Sequence, residues 1–237
     1  MTRLSVNINK IATLRNARGG NIPDVILAAQ KIESYGAQGI TVHPRPDERH
    51  IRYEDVRQLK SVVQTELNVE GNPVDSFMNL VLSVKPHQVT LVPDAVDQLT
   101  SNSGWDTLKH KDYLTDIIKE LKNQNIRTSI FIDSDEALIK NASETGVDRI
   151  ELYTEAYAKS YEKDPQSAIK SYVNCAKLAY EKGLGINAGH DLNLENIHFF
   201  AQNMPELDEV SIGHALIAEA LYQGLPNVIS EYLNKLK

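Results

Sequence analysis

Short apolar segments alternate along the chain with longer amphipathic segments. The segment GITV at 39–42 is β-branched and apolar, which is typical of a buried strand. In the segment that follows, Val56, Leu59 and Val63 recur at helical spacing. This pattern predicts strands at 4–8, 39–42, 66–70, 87–92, 127–132, 148–152, 184–187 and 209–212. It predicts helices at 23–36, 53–63, 74–84, 107–123, 137–144, 165–182, 194–202, 215–222 and 226–236.

Strands that alternate with helices in this way indicate a parallel sheet. Eight such units in 237 residues predict a closed (β/α)8 TIM barrel, formed by residues 1–237 as a single domain with extra short helices. The alternative is an open doubly wound sheet. It is less favoured because no glycine-rich dinucleotide loop follows the first strand.

Two helix starts and one loop are predicted from local signals. Pro23 and Asp24 suit the first turn of a helix, and Ser134 is a candidate N-cap for the helix at 137–144. The segment at 15–20 (RNARGG) is predicted to be a basic loop after the first strand.

Composition excludes several function classes. The net charge of −7 argues against a nucleic-acid partner, which would favour a basic face. The single cysteine, Cys175, permits no internal disulfide. The sequence begins without the apolar run of a signal peptide, and no run approaches the ~20 residues that span a bilayer. We therefore expect a cytoplasmic protein with no membrane partner.

The active site of a (β/α)8 barrel lies at the carboxyl ends of its strands. Acid–base side chains follow several predicted strands at equivalent positions. A single glutamate or histidine there is a weak signal, since most are surface charges or structural residues. Their recurrence favours one catalytic site, formed by His43, Glu70, Glu151, His190 and His214.

Two groups of residues favour phosphate binding. Gly189-His190 and Gly213-His214 follow strands seven and eight, where this fold usually binds phosphate. Backbone N–H groups at Gly213, and the start of the next helix, could approach an anion closely. A second anion could bind between the basic loop at 15–20 and Arg45, Arg49 and His50 of the loop after strand two. Two phosphate sites beside acid–base groups suggest an enzyme that joins or rearranges phosphorylated small molecules.

The chain also resembles a known family along almost its whole length. The motifs that carry the resemblance are VNIN at 6–9, IATLRNARG at 11–19, GITVH at 39–43, KPH at 85–87, LVP at 91–93, FID at 131–133, NAGH at 187–190 and IGH at 212–214. They resemble those of pyridoxine 5′-phosphate synthases. The resemblance implies a (β/α)8 barrel that forms a homo-octamer built from dimers and needs no metal or organic cofactor. It also implies condensation of 1-deoxy-D-xylulose 5-phosphate with 3-amino-2-oxopropyl phosphate, giving pyridoxine 5′-phosphate, inorganic phosphate and water.

The resemblance further implies roles for individual residues. The residues that match the catalytic ones are the proton acceptors His43 and Glu70, the proton donor His190, and Glu151, which stabilises the transition state. Those that match the amino-ketone phosphate site are Asn7, Arg18, Gly213 and His214. Those that match the deoxyxylulose phosphate site are Arg45, His50 and Thr100.

The chain departs from some relatives in two places. Asn9-Lys10 stands where some have Asp-His, and Asp191 where some have glycine. We expect all three residues to belong to the substrate site. The Lys10 ammonium, which stays charged across the neutral pH range, would contact the phosphate of deoxyxylulose phosphate. The Asp191 side chain would repel an anion if it faced inward, although its backbone N–H could still bind one.

Two other functions stay open. Three histidines and two glutamates could bind zinc or manganese, as in a metal-dependent sugar-phosphate epimerase or aldolase, although no His-Glu-x-x-His spacing is present. The barrel could also bind a phosphorylated ligand without turnover. Retention of His43, Glu70 and His190 argues against this last function.

Overall fold

The computed structural model describes residues 1–94 and 101–237. Within these ranges, eight parallel strands pair in chain order and close into a barrel, with β8 beside β1. The prediction of a (β/α)8 barrel is therefore confirmed. The strands are β1 (Arg3–Asn7), β2 (Gly39–Val42), β3 (Leu67–Gly71), β4 (Gln88–Leu91), β5 (Arg127–Ile132), β6 (Arg149–Tyr153), β7 (Gly185–Gly189) and β8 (Leu207–Ile212).

The helices of the described residues connect the strands and follow β8. They are α1 (Asn9–Asn16), α2 (Val25–Ser34), α3 (Tyr53–Val62), α4 (Asp75–Val84), α5 (Lys111–Lys122), α6 (Glu136–Ser143), α7 (Glu155–Tyr161), α8 (Pro165–Glu181), α9 (Ile197–Asn203), α10 (His214–Gln223) and α11 (Leu225–Lys235). In residues 1–94 and 101–237, no helix is both long and apolar enough to cross a membrane.

Two helices were not predicted. The start of the predicted basic loop is the last turn of α1, and Arg15 is buried there. The helix α7 has too few apolar residues for a periodic pattern. It is held by the buried Tyr157, whose ring lies 4.9 Å from that of Phe200. In both cases a tertiary contact outweighs a weak local signal.

Three helix starts differ in detail from their local signals. Pro23 and Asp24 were predicted in the first turn of a helix, but α2 begins at Val25. Asp24 is its N-cap, since its Oδ1 accepts hydrogen bonds from the N–H groups of Ile26 and Leu27. Ser134 is not the cap of α6. That helix starts one residue earlier than predicted, so Asp135 takes the N-cap position. The helix predicted at 107–123 begins only at Lys111.

The strands present different chemistry to the two sides of the barrel. Outward-facing residues such as Leu4 and Val6 join the main apolar core between strands and helices. The alternate, inward-facing residues are mostly polar. Ser5 Oγ lies 2.7 Å from Thr41 Oγ1, and Thr90 Oγ1 donates to Asn68 Oδ1 over 3.0 Å. The interior of this barrel is therefore hydrogen-bonded, where most such barrels have layers of branched apolar side chains.

At the amino-terminal end of the barrel the interior is ionic. Glu66 forms ion pairs with Arg3 (2.9 Å) and with Arg127. Arg3 also lies 3.2 Å from the carboxylate of Glu209, which is almost fully buried. The buried charges at this end are thus paired with opposite charges, because an unpaired buried charge would carry a large desolvation cost.

A second buried ion pair anchors the loop after β2. Both terminal nitrogens of Arg15 bond the carboxylate of Asp55, at 2.6 and 2.8 Å. One of them also donates to the backbone oxygen of His50, 3.0 Å away. The first turn of α3 and the loop that carries His50 are therefore tied to α1.

Removal of one partner from this pair tests its role. Asp55→Ala leaves the Arg15 guanidinium buried without its carboxylate, so we expect a loss of about 3–5 kcal/mol in the free energy of unfolding. Urea denaturation measures this loss. The control is Arg57→Ala, which breaks the exposed pair with Glu54 and should cost less than about 1 kcal/mol. Equal losses in the two variants would contradict the assignment.

Candidate active site

The ends of the first three strands bring Asn7, His43 and Glu70 together. Glu70 Oε2 lies 4.0 Å from His43 Nδ1 and accepts a long hydrogen bond of 3.4 Å from Asn7 Nδ2. Asn7 and Glu70 belong to β1 and β3, and His43 directly follows β2, so three adjacent strands present them at one end of the barrel. The predicted convergence at the carboxyl end holds for these three residues.

Asn9 makes hydrogen bonds at the ends of β1 and β2. Its Oδ1 accepts a hydrogen bond of 2.9 Å from the N–H of His43, and its own N–H donates to Asn7 Oδ1 over 3.0 Å. The side chain thus fixes the point where the chain leaves β2. A role in placing His43 is visible in the structure, whereas direct substrate contact by Asn9 remains a prediction.

Burial shifts the pKa values of His43 and Glu70 in opposite directions. Burial, with the positive charges of Arg45 and Arg49 nearby, holds the pKa of His43 well below its usual range. Burial and the neighbouring carboxyl groups of Glu151 and Asp94 raise the pKa of Glu70 well above its usual range. Both shifts favour the uncharged forms, a basic imidazole at His43 and a carboxylic acid at Glu70.

Glu151 faces the barrel interior from β6 and is almost completely buried. A Cβ atom at Gly189 on β7 would lie 2.3 Å from Glu151 Oε1, so a glycine is needed for the carboxyl group to fit. Burial and the charge of Glu209 raise the pKa of Glu151 to about 8. Glu151 is thus a second buried acid that holds its proton at neutral pH.

Arg45 is buried and already paired. Its Nη2 bonds Asp94 Oδ2, which also accepts a hydrogen bond of 2.7 Å from Ser101 Oγ. A cavity beside this pair is lined by His43, Arg45, Asn72 and Asp94. A substrate phosphate that binds Arg45 would therefore share the guanidinium with Asp94.

His50 lies in a positive region next to His43. The two imidazole rings are 6.2 Å apart and meet edge to face. Burial, together with the charges of Arg45, Arg49 and Lys10, lowers the pKa of His50 to about 4. Lys10 contributes from the exposed first turn of α1 and not from a loop. Three cationic side chains around one imidazole form a region suited to an anion.

His190 and Asp191 follow β7 on the other side of the opening. The His190 ring stands edge-on to the ring of Tyr153, with centroids 5.1 Å apart. The Asp191 side chain turns to its neighbour, since its Oδ2 lies 3.0 Å from His190 Nδ1. Membership of Asp191 in the substrate site, through its backbone N–H, stays a prediction.

The phosphate residues predicted after β8 lie next to β1. Gly213 is the N-cap of α10, and His214 is the first residue of that helix. A Cβ atom at Gly213 would lie 3.1 Å from Asn7 Cβ, so the glycine lets these two strand ends approach closely. Arg18 is exposed just beyond α1. Thr100 lies outside the described residues.

Sequence reasoning missed several residues of this site. Asp94 follows β4 and faces Arg45, and the same strand-end rule would have found it. Glu209 lies within β8 and was regarded only as a strand residue, although its charge acts on Glu151. Phe131 and Tyr153, with Val92, form a small apolar cluster apart from the main core. Alternation along β5 and β6 identifies both aromatic residues as inward-facing.

Within residues 1–94 and 101–237, no group of three or more histidine, cysteine, aspartate or glutamate side chains is arranged to hold a metal ion. A closed parallel barrel with buried acid–base groups at the carboxyl ends of its strands defines the class as a (β/α)8-barrel enzyme. The family described as "Pyridoxal phosphate biosynthesis protein PdxJ" matches residues 4–237, and the chain belongs to that family.

Curated relatives match over the full length of both chains. Proteins named pyridoxine 5′-phosphate synthase are 65% identical in Christiangramia forsetii, 62% in Flavobacterium johnsoniae and 58% in Bacteroides fragilis, each over 237 residues and 100% of both chains. At these identities the relatives support the family assignment made from the motifs.

Solved structures with low sequence identity share the fold. Phosphoribosylanthranilate isomerase from Thermotoga maritima superposes with a TM-score of 0.63 at 13% identity, covering 100% of this chain and 98% of that one. For 3-keto-L-gulonate-6-phosphate decarboxylase from Vibrio cholerae the TM-score is 0.64 at 10% identity, covering 99% and 97%. These likenesses concern the barrel and not its chemistry.

The raised pKa of Glu151 predicts a pH-dependent stability. The folded state holds the Glu151 proton up to about pH 8, whereas the unfolded chain releases it near the ordinary glutamate pKa of 4.5. Raising the pH from 5 to 8 therefore favours unfolding, by on the order of 2–4 kcal/mol for this group. Urea denaturation at both pH values should show a smaller loss in Glu151→Gln than in the unmodified protein. Equal losses would contradict a protonated Glu151.

Proposed function

We propose that the chain condenses 1-deoxy-D-xylulose 5-phosphate with 3-amino-2-oxopropyl phosphate to give pyridoxine 5′-phosphate, inorganic phosphate and water. The observation that carries this proposal is the placement of His43 4.0 Å from Glu70, next to the cationic region around His50, at a site where burial lowers the pKa of the imidazole and raises that of the carboxyl group. Full-length relatives at 56–65% identity are pyridoxine 5′-phosphate synthases, which supports the same activity.

The reaction needs several proton transfers, because it joins an amine to a ketone, expels phosphate and water, and closes an aromatic ring. His43 is suited to accept a proton, since burial keeps its ring neutral. Glu70 becomes an acceptor once a positively charged substrate nitrogen approaches, because a nearby cation favours the carboxylate. His190 donates a proton from the side of the barrel opening opposite His43. Glu151, in the barrel interior, stabilises the charge that develops in the transition state.

The two phosphates bind on different sides of the opening. Support for an amino-ketone phosphate site comes from the contact of Gly213 with Asn7 and from the N-terminus of α10, where His214 and the exposed Arg18 would contribute. The deoxyxylulose phosphate binds the cationic region formed by Lys10, Arg45, Arg49 and His50. Asn9 also belongs to this second site. Thr100 is assigned to it because it matches a residue of the deoxyxylulose phosphate site in the family.

We also propose that all of residues 1–237 form one cytoplasmic domain that assembles as a homo-octamer built from dimers, without metal or organic cofactor. Large apolar side chains that are exposed in one chain are suited to subunit contacts, among them Ile22 (86% exposed) and Tyr222 (91% exposed). The metal-dependent epimerase or aldolase is not favoured, since the matched family and relatives belong to pyridoxine phosphate synthesis. A non-catalytic phosphate-binding barrel would not need several buried acid–base groups.

The activity is tested by incubation of the chelator-treated protein with both phosphorylated substrates, following pyridoxine 5′-phosphate and phosphate together. We expect both products without added metal. In Glu70→Gln the fold is kept but the base is lost, so turnover should fall by roughly 10²–10⁴-fold, the usual worth of one acid–base group. Glu120→Gln, which alters an exposed glutamate of α5, is the matched control.

Two results would count against this proposal. The absence of pyridoxine 5′-phosphate from the complete reaction would disprove the activity. Activity that is lost on chelation and returns with one divalent ion would favour the metal-dependent alternative. Near-normal turnover in Glu70→Gln would remove only Glu70 from the mechanism.

Lys10→Ala tests the anion region. A phosphate about 4 Å from an ammonium gains roughly 1–4 kcal/mol, depending on how far water is excluded. We expect a higher KM for deoxyxylulose phosphate and an unchanged KM for the amino-ketone, measured by varying each substrate in turn. Lys31→Ala, at an exposed position on α2, controls for loss of a surface charge. Unchanged constants in Lys10→Ala would make Lys10 a solvated helix residue.

A further inference from the structure

The backbone after β7 adopts an unusual conformation at two successive residues. His190 has φ = +80° and Asp191 has φ = +57°, both in the left-handed region that side chains other than glycine seldom adopt. A chain holds such a conformation only when its surroundings fix it. The segment 189–191 is therefore rigidly positioned for a reason that local sequence preference does not supply.

Buried hydrogen bonds hold this segment from both sides. Thr154, which is fully buried, donates from its N–H to the Gly189 oxygen over 3.0 Å. Its single hydroxyl proton is shared between the Gly189 oxygen, 2.7 Å from Oγ1, and the backbone oxygen of His190. Asn196, equally buried, donates from Nδ2 to the Asp191 oxygen over 3.3 Å. The carbonyl groups of three successive residues are thus fixed.

The fixed backbone places the Asp191 carboxylate against the ring of its neighbour. Asp191 Oδ2 lies 3.0 Å from His190 Nδ1, and the ring of Tyr153 packs edge-on to the same imidazole. The hydrogen bond to His190 lowers the pKa of Asp191, so this side chain is a carboxylate and can only accept. His190 Nδ1 must therefore carry a proton when the bond is made.

We propose that Asp191 is a positioning residue that orients His190 with a proton on Nδ1 and leaves Nε2 to exchange protons with the substrate. The inference rests on the proposed function, in which His190 is the proton donor. It assigns the Asp191 side chain a task at the imidazole, whereas the phosphate contact expected of its backbone N–H stays a prediction.

The proton transfer balances in this arrangement. The Nε2–H bond of the imidazolium breaks, and a new O–H bond forms on the oxygen that leaves as water. The ring changes from cationic to neutral with its remaining proton on Nδ1, and Asp191 stays a carboxylate throughout. A carboxylate beside an imidazole supports both the orientation and the tautomer of the ring.

The tautomer of His190 is a readout that does not depend on turnover. Nitrogen-15 NMR of the ring at alkaline pH should show the proton of neutral His190 on Nδ1, and Asp191→Gly should abolish this preference. His50 is an internal control of the opposite kind. Its Nδ1 accepts the Ile51 N–H over 2.9 Å, so its proton is on Nε2 and should remain there in the variant.

Kinetics separate orientation from binding. Glycine readily adopts a φ near +57°, so Asp191→Gly keeps the backbone while removing the carboxylate. We expect kcat to fall by about tenfold, the worth of one charge-assisted hydrogen bond on a partly exposed group, with both KM values unchanged. In Asp191→Asn, kcat should fall less, because asparagine adopts the same backbone conformation and keeps an oxygen acceptor. In a His190→Gln background, Asp191→Gly should have no further effect.

Other outcomes would overturn the inference. An unchanged tautomer in Asp191→Gly would show that the carboxylate does not orient the ring. A change confined to the KM of one phosphate would assign Asp191 to the substrate. Failure of the unmodified protein to form pyridoxine 5′-phosphate would disprove the proposed function, and the NMR result would still decide whether Asp191 sets the His190 tautomer.

Discussion

The constraint on which this structure depends is the burial of charge inside a narrow barrel. Inward-facing positions that are usually filled by branched apolar residues are here mostly polar, so each polar group must be paired, hydrogen-bonded or neutralised. At the amino-terminal end, Arg3 and Arg127 pair with Glu66. Towards the carboxyl end the buried guanidinium of Arg45 is paired with Asp94, and burial raises the pKa values of Glu151 and Glu70, which favours their protonated forms.

The same constraint produces the acid–base character of the site. A buried carboxyl group that holds its proton can donate it, and a buried imidazole that has lost its proton can accept one. The pKa values of His43 and Glu70 are shifted towards these states because both side chains are buried and because of the charges of neighbouring residues. The site therefore acquires its reactive groups from the cost of desolvation, without needing unusual residues.

Positions around the opening are fixed by contacts far apart in sequence. The Arg15–Asp55 pair holds the loop of His50, and Thr154 holds the segment of His190. Both contacts join neighbouring βα units, so each catalytic loop depends on the unit beside it. Such pre-organisation is what a multistep condensation requires, since each proton must pass between groups already in place.

The sequence by itself determined the eight βα units, most strand limits to within one residue, and the strand ends at which chemistry would occur. Apolar periodicity is a local property, and the carboxyl ends of parallel strands must meet whatever the side chains are. Only the tertiary structure decided that Arg15 lies in a helix and is buried. The same holds for the ion pair between Arg45 and Asp94 and for the contact between the Asp191 carboxylate and the His190 ring. These depend on distances between residues on different strands and loops, and on backbone angles that packing imposes, neither of which a pattern along one chain contains.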